Sequence, residues 1–408
     1  MQIRSGALLL VALCAAGCGS GPASPPAPGV NLAEQTISIG VLNDETGPSA
    51  AIGRPWGAGL RILARQINAG GHGYLPPGWK IALVERDHAY DPARARSQFN
   101  EIRGQVLFIG TSFGTPNTLP LQPLLEKENL VAFPASLSSA LHNSQFTPPV
   151  GPSYRVEVER ALDWMAKQAG GAAKVRLGLV YQQDDYGADG LAAVTETAPR
   201  LGLAIVATRA YAAGQSDFSD IVVALKAAGA THVMLTTMPS ATAPILSAAA
   251  QLQYEPVWVG NSPAWLDRFY DATLVPPAIF RNFYWANSFA YWGEDVPMMK
   301  GFLEAYEKYG RDSLPPDNYI LAGYAAGLLE MQVLTRTIRS GDLTRAGFLR
   351  ALRATRDYDT YGATAEPLDF TRFPYVTGTR TRILKPDFAR RSWTVVGGYA
   401  EPGAGHPG

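Results

Sequence analysis

Residues 36–68 read TISIGVLNDETGPSAAIGRPWGAGLRILARQIN. This stretch opens with a short β-branched and apolar run at 37–42, and a helical pattern covers Trp56 to Asn68 after a polar turn. A short apolar strand that feeds a helix is the unit from which parallel sheets are built. The stretch therefore predicts an α/β fold.

The same alternation continues along the chain in two series. Strands are predicted at 80–85, 106–109, 130–133, 175–181, 203–208, 232–236 and 257–260. Helices are predicted at 118–128, 153–164, 188–201, 217–228 and 243–252. A new series begins near Ser153, and the chain is too long for one core of ordinary size. We therefore predict two doubly wound parallel-sheet lobes.

Three later helices lack strands of their own and are predicted at 296–309, 318–339 and 344–353, before a strand-like end at 393–396. Such helices must pack on an existing sheet, so we expect them to return to the first lobe before the end rejoins the second. Two or three crossovers then form a hinge. The predicted domains are 36–150 plus about 290–360, 151–289 plus about 361–400, and a disordered tail at 401–408.

The N-terminus has the layout of an export signal, with Arg4 before an apolar run at 6–13 and small residues before Cys18. It resembles a bacterial lipoprotein signal peptide, 1–17, which implies cleavage before Cys18 and lipid on its sulfur. An ordinary signal peptide is the alternative, because the apolar run is far shorter than the roughly 20 residues of a membrane span. Residues 18–35 are predicted to be the lipidated cysteine and a flexible tether.

The predicted location is the periplasm, with the body held to a membrane by lipid alone. Gly19 follows the cysteine in place of the aspartate that typically retains lipoproteins at the inner membrane. Anchoring in either the inner or the outer membrane is therefore left open.

Charge and cysteine content exclude several classes of protein. Basic and acidic residues both number 35, so the net charge is zero. The chain thus has no excess positive charge to attract nucleic acid. The two cysteines are Cys14 and Cys18, and the lipoprotein interpretation removes the first and acylates the second. Disulfides, thiolate metal sites and cysteine nucleophiles are then excluded from the mature chain.

Residues 110–114, GTSFG, match the G-x-S-x-G pattern of a serine nucleophile between a strand and a helix. A hydrolase using Ser112 would need a histidine base on a late loop. The histidines that follow are His142, His232 and His406, and none is well placed, since His232 opens a strand and His406 lies in the tail. We favour a glycine-rich turn whose amides face a cleft; a serine hydrolase is the alternative.

Three weaker motifs have structural explanations. The glycines that follow Asn68 suit a helix C-cap, and Gly57-Ala58-Gly59 lies inside a helical pattern without the third glycine of a dinucleotide fingerprint. Asp91 is predicted to cap a helix rather than to join Asp87 and His88 in a metal site. We expect neither a metal nor a cofactor.

An aromatic run covers 283–292 and includes Phe283, Trp285 and Phe289. Its density suggests a ligand-binding wall. We favour a core strand with further packing beneath a crossover, because aromatic side chains commonly build cores.

Several short motifs follow the order of one known family: IGVL at 39–42, TGP at 46–48, FPAS at 133–136, DYG at 185–187, DFS at 217–219 and LDF at 368–370. Together they resemble the leucine/isoleucine/valine-binding proteins of ABC transporters. The resemblance implies a type I periplasmic binding protein, a Venus-flytrap fold whose lobes close on a small ligand. It also implies an inner-membrane permease as the partner.

The resemblance further implies a set of ligand-binding residues: Ile52, Phe113, Gly114, Thr115, Ala135, Ser136 and Leu137 in the first lobe; Tyr154, Tyr186, Met238 and Ser262 across the cleft; and Tyr319 as an aromatic wall. In the amino-acid binders, the first-lobe turns hold the ligand carboxylate through amides and hydroxyls. Thr115 and Ser136 keep that ability. Tyr186 and Thr115, from opposite lobes, are the first pair to test, and Tyr186→Ala is expected to weaken binding without lowering the melting temperature.

Two departures from the family bear on the ligand. Ser262 stands where amino-acid binders place an acid against the ammonium, and Tyr154 stands at a second acidic position. An ammonium buried without a charged partner is costly, while Leu137 and Met238 make the pocket more apolar and adaptable. We therefore predict a ligand with an apolar or aromatic body and one carboxylate.

The alternatives are a branched-chain or other amino acid as the ligand, and a lipoprotein that senses a ligand instead of feeding a transporter. The sequence does not decide between transporter subunit and sensor. We expect a monomer without enzymatic activity.

Overall fold

A computed structural model describes residues 25–70, 73–310 and 314–403 of the protein. The predicted signal peptide, Cys18, the start of the tether and the tail from residue 404 lie outside the described residues. Within these ranges, no helix combines the length and the apolar character that crossing a bilayer requires.

The described residues form twelve strands and eleven α-helices. The strands are β1 Val30–Asn31, β2 Thr36–Asn43, β3 Lys80–Asp87, β4 Phe108–Phe113, β5 Ala132–Ala135, β6 Arg176–Gln182, β7 Ala204–Tyr211, β8 His232–Thr236, β9 Val257–Gly260, β10 Phe283–Asn287, β11 Thr381–Asp387 and β12 Ser392–Ala400. The helices are α1 Ala50–Asn68, α2 Pro92–Ile102, α3 Thr115–Thr118, α4 Gln122–Glu128, α5 Tyr154–Gln168, α6 Asp185–Arg200, α7 Ser219–Ala227, α8 Pro239–Gln251, α9 Met299–Tyr309, α10 Asn318–Ser340 and α11 Arg345–Arg353.

The first sheet has the strand order β3, β2, β4, β5, with β1 paired antiparallel to the start of β2. The other pairings are parallel. Every residue of β4 is buried, as expected for a strand covered on both faces by helices. Because the strands are parallel, their carboxyl ends share one edge, where α/β folds bind ligands.

The second sheet has the order β7, β6, β8, β9, β10, β11, β12. Its first five strands are parallel, and β11 and β12 add to β10 as antiparallel strands. We call β1 to β5 with α1 to α4 and α9 to α11 the first lobe, and β6 to β12 with α5 to α8 the second lobe. This arrangement confirms the predicted α/β class with two mostly parallel sheets.

The late helices join the first lobe through a close crossing of α1 and α10. A Cβ atom on Gly59 would lie 2.3 Å from the carbonyl oxygen of Ile320, and one on Gly323 would lie 2.1 Å from that of Trp56. Only glycine permits such an approach between backbones. The Gly57-Ala58-Gly59 motif is therefore part of a helix crossing.

The chain passes between the lobes three times, from β5 to α5, from β10 to α9 and from α11 to β11. These crossovers touch one another. Ala290 N–H donates to Ala363 O at 2.8 Å, and the Thr377 hydroxyl donates to Gly151 O at 2.8 Å. Linkers that run side by side suit a hinge between rigid bodies.

Local differences from the sequence-based expectations have simple causes. The expected helix at 118–128 is split into α3, a 3₁₀ turn at Leu119–Leu121 and α4, because Pro120 and Pro123 lack the amide donors of a continuous helix. Strand β11 was not predicted, since its KPD end does not read as a strand. Asp91 caps α2 as predicted, accepting from the amides of Ala93 and Arg94.

Candidate functional site

A cavity lies between the lobes, and its empty space of about 660 Å³ includes a part that is open to solvent. The space is narrow, however, and little of it would admit the centre of a water-sized sphere. A ligand therefore needs the lobes to separate before it can enter.

The cavity brings together all eleven residues predicted from the sequence, and Leu137 with them. The lining residues are Ile52, Trp56, Tyr90, Phe113, Gly114, Thr115, Ala135, Ser136, Leu137, Tyr154, Tyr186, Met238, Ser262, Pro263, Trp285, Asn287, Phe289, Ala290, Asn318, Tyr319 and Ala322. None of these described lining residues carries a charge at pH 7. The lining is mostly apolar and aromatic, with hydroxyl and amide groups interspersed.

The first-lobe wall is built at the carboxyl ends of β4 and β5. Gly114 turns the chain from β4 into α3 with φ +86, and a Cβ atom there would lie 2.8 Å from the Tyr90 ring. The turn presents Thr115, whose Oγ1 lies 2.8 Å from Ser136 Oγ at the end of β5. Ser136 also bonds the Tyr154 hydroxyl. The three hydroxyls have three hydrogens for these two contacts, so one hydrogen is left for a ligand acceptor.

The second-lobe wall contains tyrosines held by their own lobe. The rings of Tyr154 and Tyr186 meet edge to face, with centroids 5.1 Å apart. Tyr186 OH donates to Asn261 Oδ1 at 2.8 Å, and burial raises its pKa well above the ordinary value. This hydroxyl stays neutral and its hydrogen is already used within the lobe.

Glu157 lies directly behind this wall and was missed in the sequence. Its carboxylate accepts from Ser262 N–H at 2.9 Å and from Ser288 Oγ at 3.0 Å, and it also accepts from Ser262 Oγ. Burial raises the pKa of Glu157 to about 7 against the effect of these donors. The Ser262 hydroxyl thus donates its hydrogen to Glu157, and only its oxygen lone pairs can accept from a ligand in the cavity.

Two contacts show that α10 of the first lobe also touches the second. Tyr319 OH donates to Ser262 O at 2.7 Å, and Asn318 N–H donates to Asp267 Oδ2 at 2.8 Å. Trp285 Nε1 donates to the same Ser262 carbonyl at 3.0 Å. The structure therefore represents a closed arrangement of the lobes.

The sequence missed nine lining residues: Trp56, Tyr90, Pro263, Trp285, Asn287, Phe289, Ala290, Asn318 and Ala322. The aromatic run at 283–292 was the available signal. Phe283 is a fully buried core residue of β10, as favoured, but Trp285 and Phe289 line the cavity. Both are buried core residues as well, so the two interpretations of the run are compatible. Phe283 and Trp285 share one face of β10, and the carboxyl end of that face reaches the cleft, while Phe289 follows the strand.

The hydrolase alternative gains no support from the geometry. Ser112 is the penultimate residue of β4, 1% exposed, and its Oγ lies 2.8 Å from Thr118 Oγ1. This hydroxyl therefore bonds to a threonine, and it has no histidine partner among the described residues. The sharp turn falls on Gly114 instead. Nor do the described residues contain a group of three or more metal-ligating side chains.

Two α/β lobes that enclose an uncharged cavity and are joined by three crossovers define a two-lobed solute-binding protein. Comparison with known proteins agrees: the chain belongs to the periplasmic binding protein family, whose model matches residues 36–372. It is thus a substrate-binding protein of the kind that serves ABC transporters.

Individual relatives are distant but cover most of the chain. A Leu/Ile/Val-binding protein homolog 7 of Brucella abortus is 25% identical over 343 residues, covering 81% of this chain and 82% of the relative. A fatty acid ABC transporter substrate-binding protein from Thermomonospora curvata superposes with a TM-score of 0.84 at 26% identity, covering 92% and 95% of the two chains. A branched-chain amino acid ABC transporter structure from Thermus thermophilus with bound valine has a TM-score of 0.79 at 22% identity, covering 90% and 96%, and shares the fold.

Proposed function

We propose that this protein captures a small ligand with an apolar or aromatic body and one carboxylate, and presents it to a membrane permease. The observation that carries the proposal is the lining of the cavity, which is uncharged and dominated by aromatic and aliphatic side chains. Such a lining favours apolar ligands through desolvation. The similarity to a fatty acid-binding protein supports the same class.

The distribution of donors assigns an orientation to this ligand. The group formed by Thr115, Ser136 and Tyr154 has one hydroxyl hydrogen beyond its own contacts. Tyr186, Ser262 and Tyr319 donate theirs to second-lobe acceptors. A carboxylate beside Ser262 would also face the Glu157 carboxyl, and like charges repel in a low-dielectric site. The carboxylate is therefore proposed to bind at the first-lobe wall.

A branched-chain amino acid is the second candidate, and Glu157 is the observation that favours it. The carboxyl lies one residue layer behind Ser262 and has no cation among the described residues. An ammonium near Ser262 would supply the missing positive charge. The named relatives from Brucella belong to the same class of binder.

The first experiment identifies the ligand. Native mass spectrometry of the purified protein tests for a co-purified small molecule, and calorimetry then compares aliphatic and aromatic monocarboxylic acids with leucine and valine. The proposal expects the acids to bind and the amino acids to bind weakly or not at all. Tight binding of leucine or valine alone would replace it with the second candidate.

Two variants sharpen this comparison. Thr115→Val removes a donor from the first-lobe wall and should weaken binding of the acid. Ser112→Ala removes a hydroxyl near the end of β4 that does not line the cavity, so it should leave binding unchanged. Glu157→Gln separates the candidates, because it should weaken an ammonium-bearing ligand and leave a simple acid unaffected or bound more tightly.

The lipid anchor at Cys18 and the monomeric state are also proposals. The supporting observation for the anchor is the sequence around Cys18. Labelling with a radioactive fatty acid should mark the protein, and Cys18→Ala should abolish the label. A labelled Cys18→Ala variant would contradict the assignment.

A further inference from the structure

Helix α6 of the second lobe makes polar contacts with the first lobe on both sides of the cavity residue Tyr186. Its N-cap residue Asp184 accepts a hydrogen bond at 3.0 Å from Tyr90 OH, in the loop after β3. One turn further along, Asp189 accepts from Ser139 N–H at 2.9 Å and also from Ser139 Oγ. The helix that contributes Tyr186 to the cavity thus also holds the two lobes together.

Each contact is connected to the cavity wall. Ser139 lies three residues after Ser136, and Ser136 Oγ accepts from Ser138 N–H at 3.3 Å. The segment that reaches Asp189 is therefore continuous with the proposed carboxylate site. An occupant of that site would stabilise the position of the segment.

A chain of hydrogen bonds connects the Tyr90–Asp184 contact to the cavity wall. Gln182 Nε2 lies 3.4 Å from Tyr90 OH and also contacts Asp184. Tyr211 OH donates to Gln182 Oε1 at 3.1 Å and accepts from Met238 N–H at 2.8 Å. Met238 lines the cavity, so this chain runs from the lobe contact to the second-lobe wall.

Both contacts lie away from the points where the chain leaves the first lobe. Tyr90 follows β3, and the segment with Ser139 is still held to the first sheet, because Ala132 N–H donates to Phe146 O at 2.8 Å, so the passage to the second lobe begins beyond it. Asp184 and Asp189 follow β6, whereas two of the crossovers leave or join the sheet at β10 and β11, on the other side of β8 and β9. A hinge rotation about the crossovers moves distant groups the most. The contacts of Asp184 and Asp189 would therefore break when the lobes open.

We propose that Asp184 with Tyr90, and Asp189 with Ser139, form a latch that sets the population of the closed state. The inference rests on the proposed function as a clamp. A contact made only in the closed state shifts the equilibrium toward closure, and affinity scales with the fraction of protein that is competent to bind. Asp184, Asp189, Tyr90 and Ser139 are thus positioning residues that control affinity through closure.

The test measures the distance between the lobes without any ligand. Spin labels are placed at Ser97→Cys on α2 and Val223→Cys on α7, two exposed positions on opposite lobes. The full chain carries Cys14→Ser and Cys18→Ser, which removes its two native cysteines. Double electron–electron resonance then gives the ratio of closed to open protein.

Asp189→Ala should lower this ratio by roughly 2- to 10-fold, the range expected for one lost hydrogen-bonded contact. Adding Tyr90→Phe should lower it by a further factor of similar size. The matched control is Asp185→Ala, which removes an exposed carboxylate between the latch residues on the same helix. The control should leave the ratio unchanged, and all variants should keep the wild-type circular dichroism spectrum.

Two results overturn the proposal in distinguishable ways. If the wild-type protein shows open and closed distances but the latch variants leave their ratio unchanged, the latch is wrong and the clamp stands. If one fixed distance persists in every variant and with every ligand found to bind, both the latch and the clamp are wrong.

Discussion

Glu157 in the second lobe and Glu330 in the first are both buried carboxyl groups without a cation among the described residues, yet their surroundings differ. Glu157 is 0% exposed and accepts hydrogen bonds from Ser262 and Ser288. Glu330, on α10, is 1% exposed and neither of its oxygens has a hydrogen-bond partner. Donors directed at a buried carboxyl offset the loss of its water, whereas a buried carboxyl without donors carries the full cost of desolvation.

The difference extends to protonation. Burial raises the pKa of Glu157 to about 7 while its donors oppose the shift, so the group is near half-ionised at neutral pH. Burial raises the pKa of Glu330 well above its ordinary value with nothing to oppose it. Glu330 is therefore a neutral acid at pH 7, whereas Glu157, behind the cavity wall, can carry charge there.

The largest expected effect comes from Glu157→Ala. Removing this acceptor leaves the buried amide and hydroxyl donors of Ser262 without Glu157, and each such group costs about 1 to 3 kcal/mol. The Ser288 hydroxyl keeps its contact with Thr381 Oγ1 at 3.1 Å. We expect the free energy of unfolding to fall by about 3 kcal/mol or more, measured by urea unfolding. Glu330→Ala is the control, because it removes the same atoms without leaving a hydrogen-bond donor unpaired. Equal losses in the free energy of unfolding in the two variants would contradict the comparison.

The second prediction concerns pH. The pKa of Glu157 is about 7 in the folded protein, against an ordinary value of 4.5, so the folded state retains a proton between these pH values. The protonated Glu157 carboxyl contributes its full share of stability below pH 4.5, and this share is lost as pH rises through about 7.

Between pH 5 and pH 8 the wild type should lose about 2 to 3 kcal/mol that Glu157→Gln does not lose. Urea unfolding of both proteins at the two pH values measures the difference. Parallel pH profiles would show that Glu157 does not titrate in this range.

Glu330→Met should stabilise the protein. Methionine keeps the linear shape of the side chain and removes a polar group that has no partner, so we expect a gain of about 1 to 2 kcal/mol in the free energy of unfolding. Glu330→Gln keeps an unpartnered polar group and should give no such gain. A destabilised Glu330→Met variant would mean that the carboxyl is solvated or bonded in solution.

Much of this fold could be predicted from local patterns. The strand-then-helix unit at 36–68 and its repeats follow from periodicity, which depends on neighbouring residues alone. The return of α9 to α11 to the first lobe followed from the lack of strands around them. The residue boundaries of the lobes stay a prediction.

The site could be predicted only in part, because its polar groups are satisfied by distant segments. The family resemblance supplied the lining residues, but Glu157 meets Ser262 and Ser288 at sequence separations of 105 and 131 residues. Its position three residues after Tyr154 on α5 was the available signal. Glu330 likewise follows Ala326 and Gly327 at helical spacing on a buried face.

The smallest expected effect separates a cavity tyrosine from a core tyrosine. Tyr186 and Tyr324 are each 1% exposed, and each donates to a side-chain amide oxygen, Asn261 Oδ1 at 2.8 Å and Gln66 Oε1 at 2.7 Å. Burial of the Tyr186 ring means that Tyr186→Ala would lower stability, contrary to the expectation from sequence, so the phenylalanine variants are the better probes.

Tyr186→Phe and Tyr324→Phe should each lower the free energy of unfolding by about 1 kcal/mol, the net value of one hydrogen bond. Only Tyr186 lines the cavity between the lobes. Loss of the bond to Asn261 should loosen the ring that forms the cavity wall. Calorimetry with the ligand found by mass spectrometry should therefore show weaker binding for Tyr186→Phe and wild-type binding for Tyr324→Phe. Equal affinities in the two variants would show that the Tyr186 hydroxyl contributes to stability and not to ligand binding, as is expected for the Tyr324 hydroxyl.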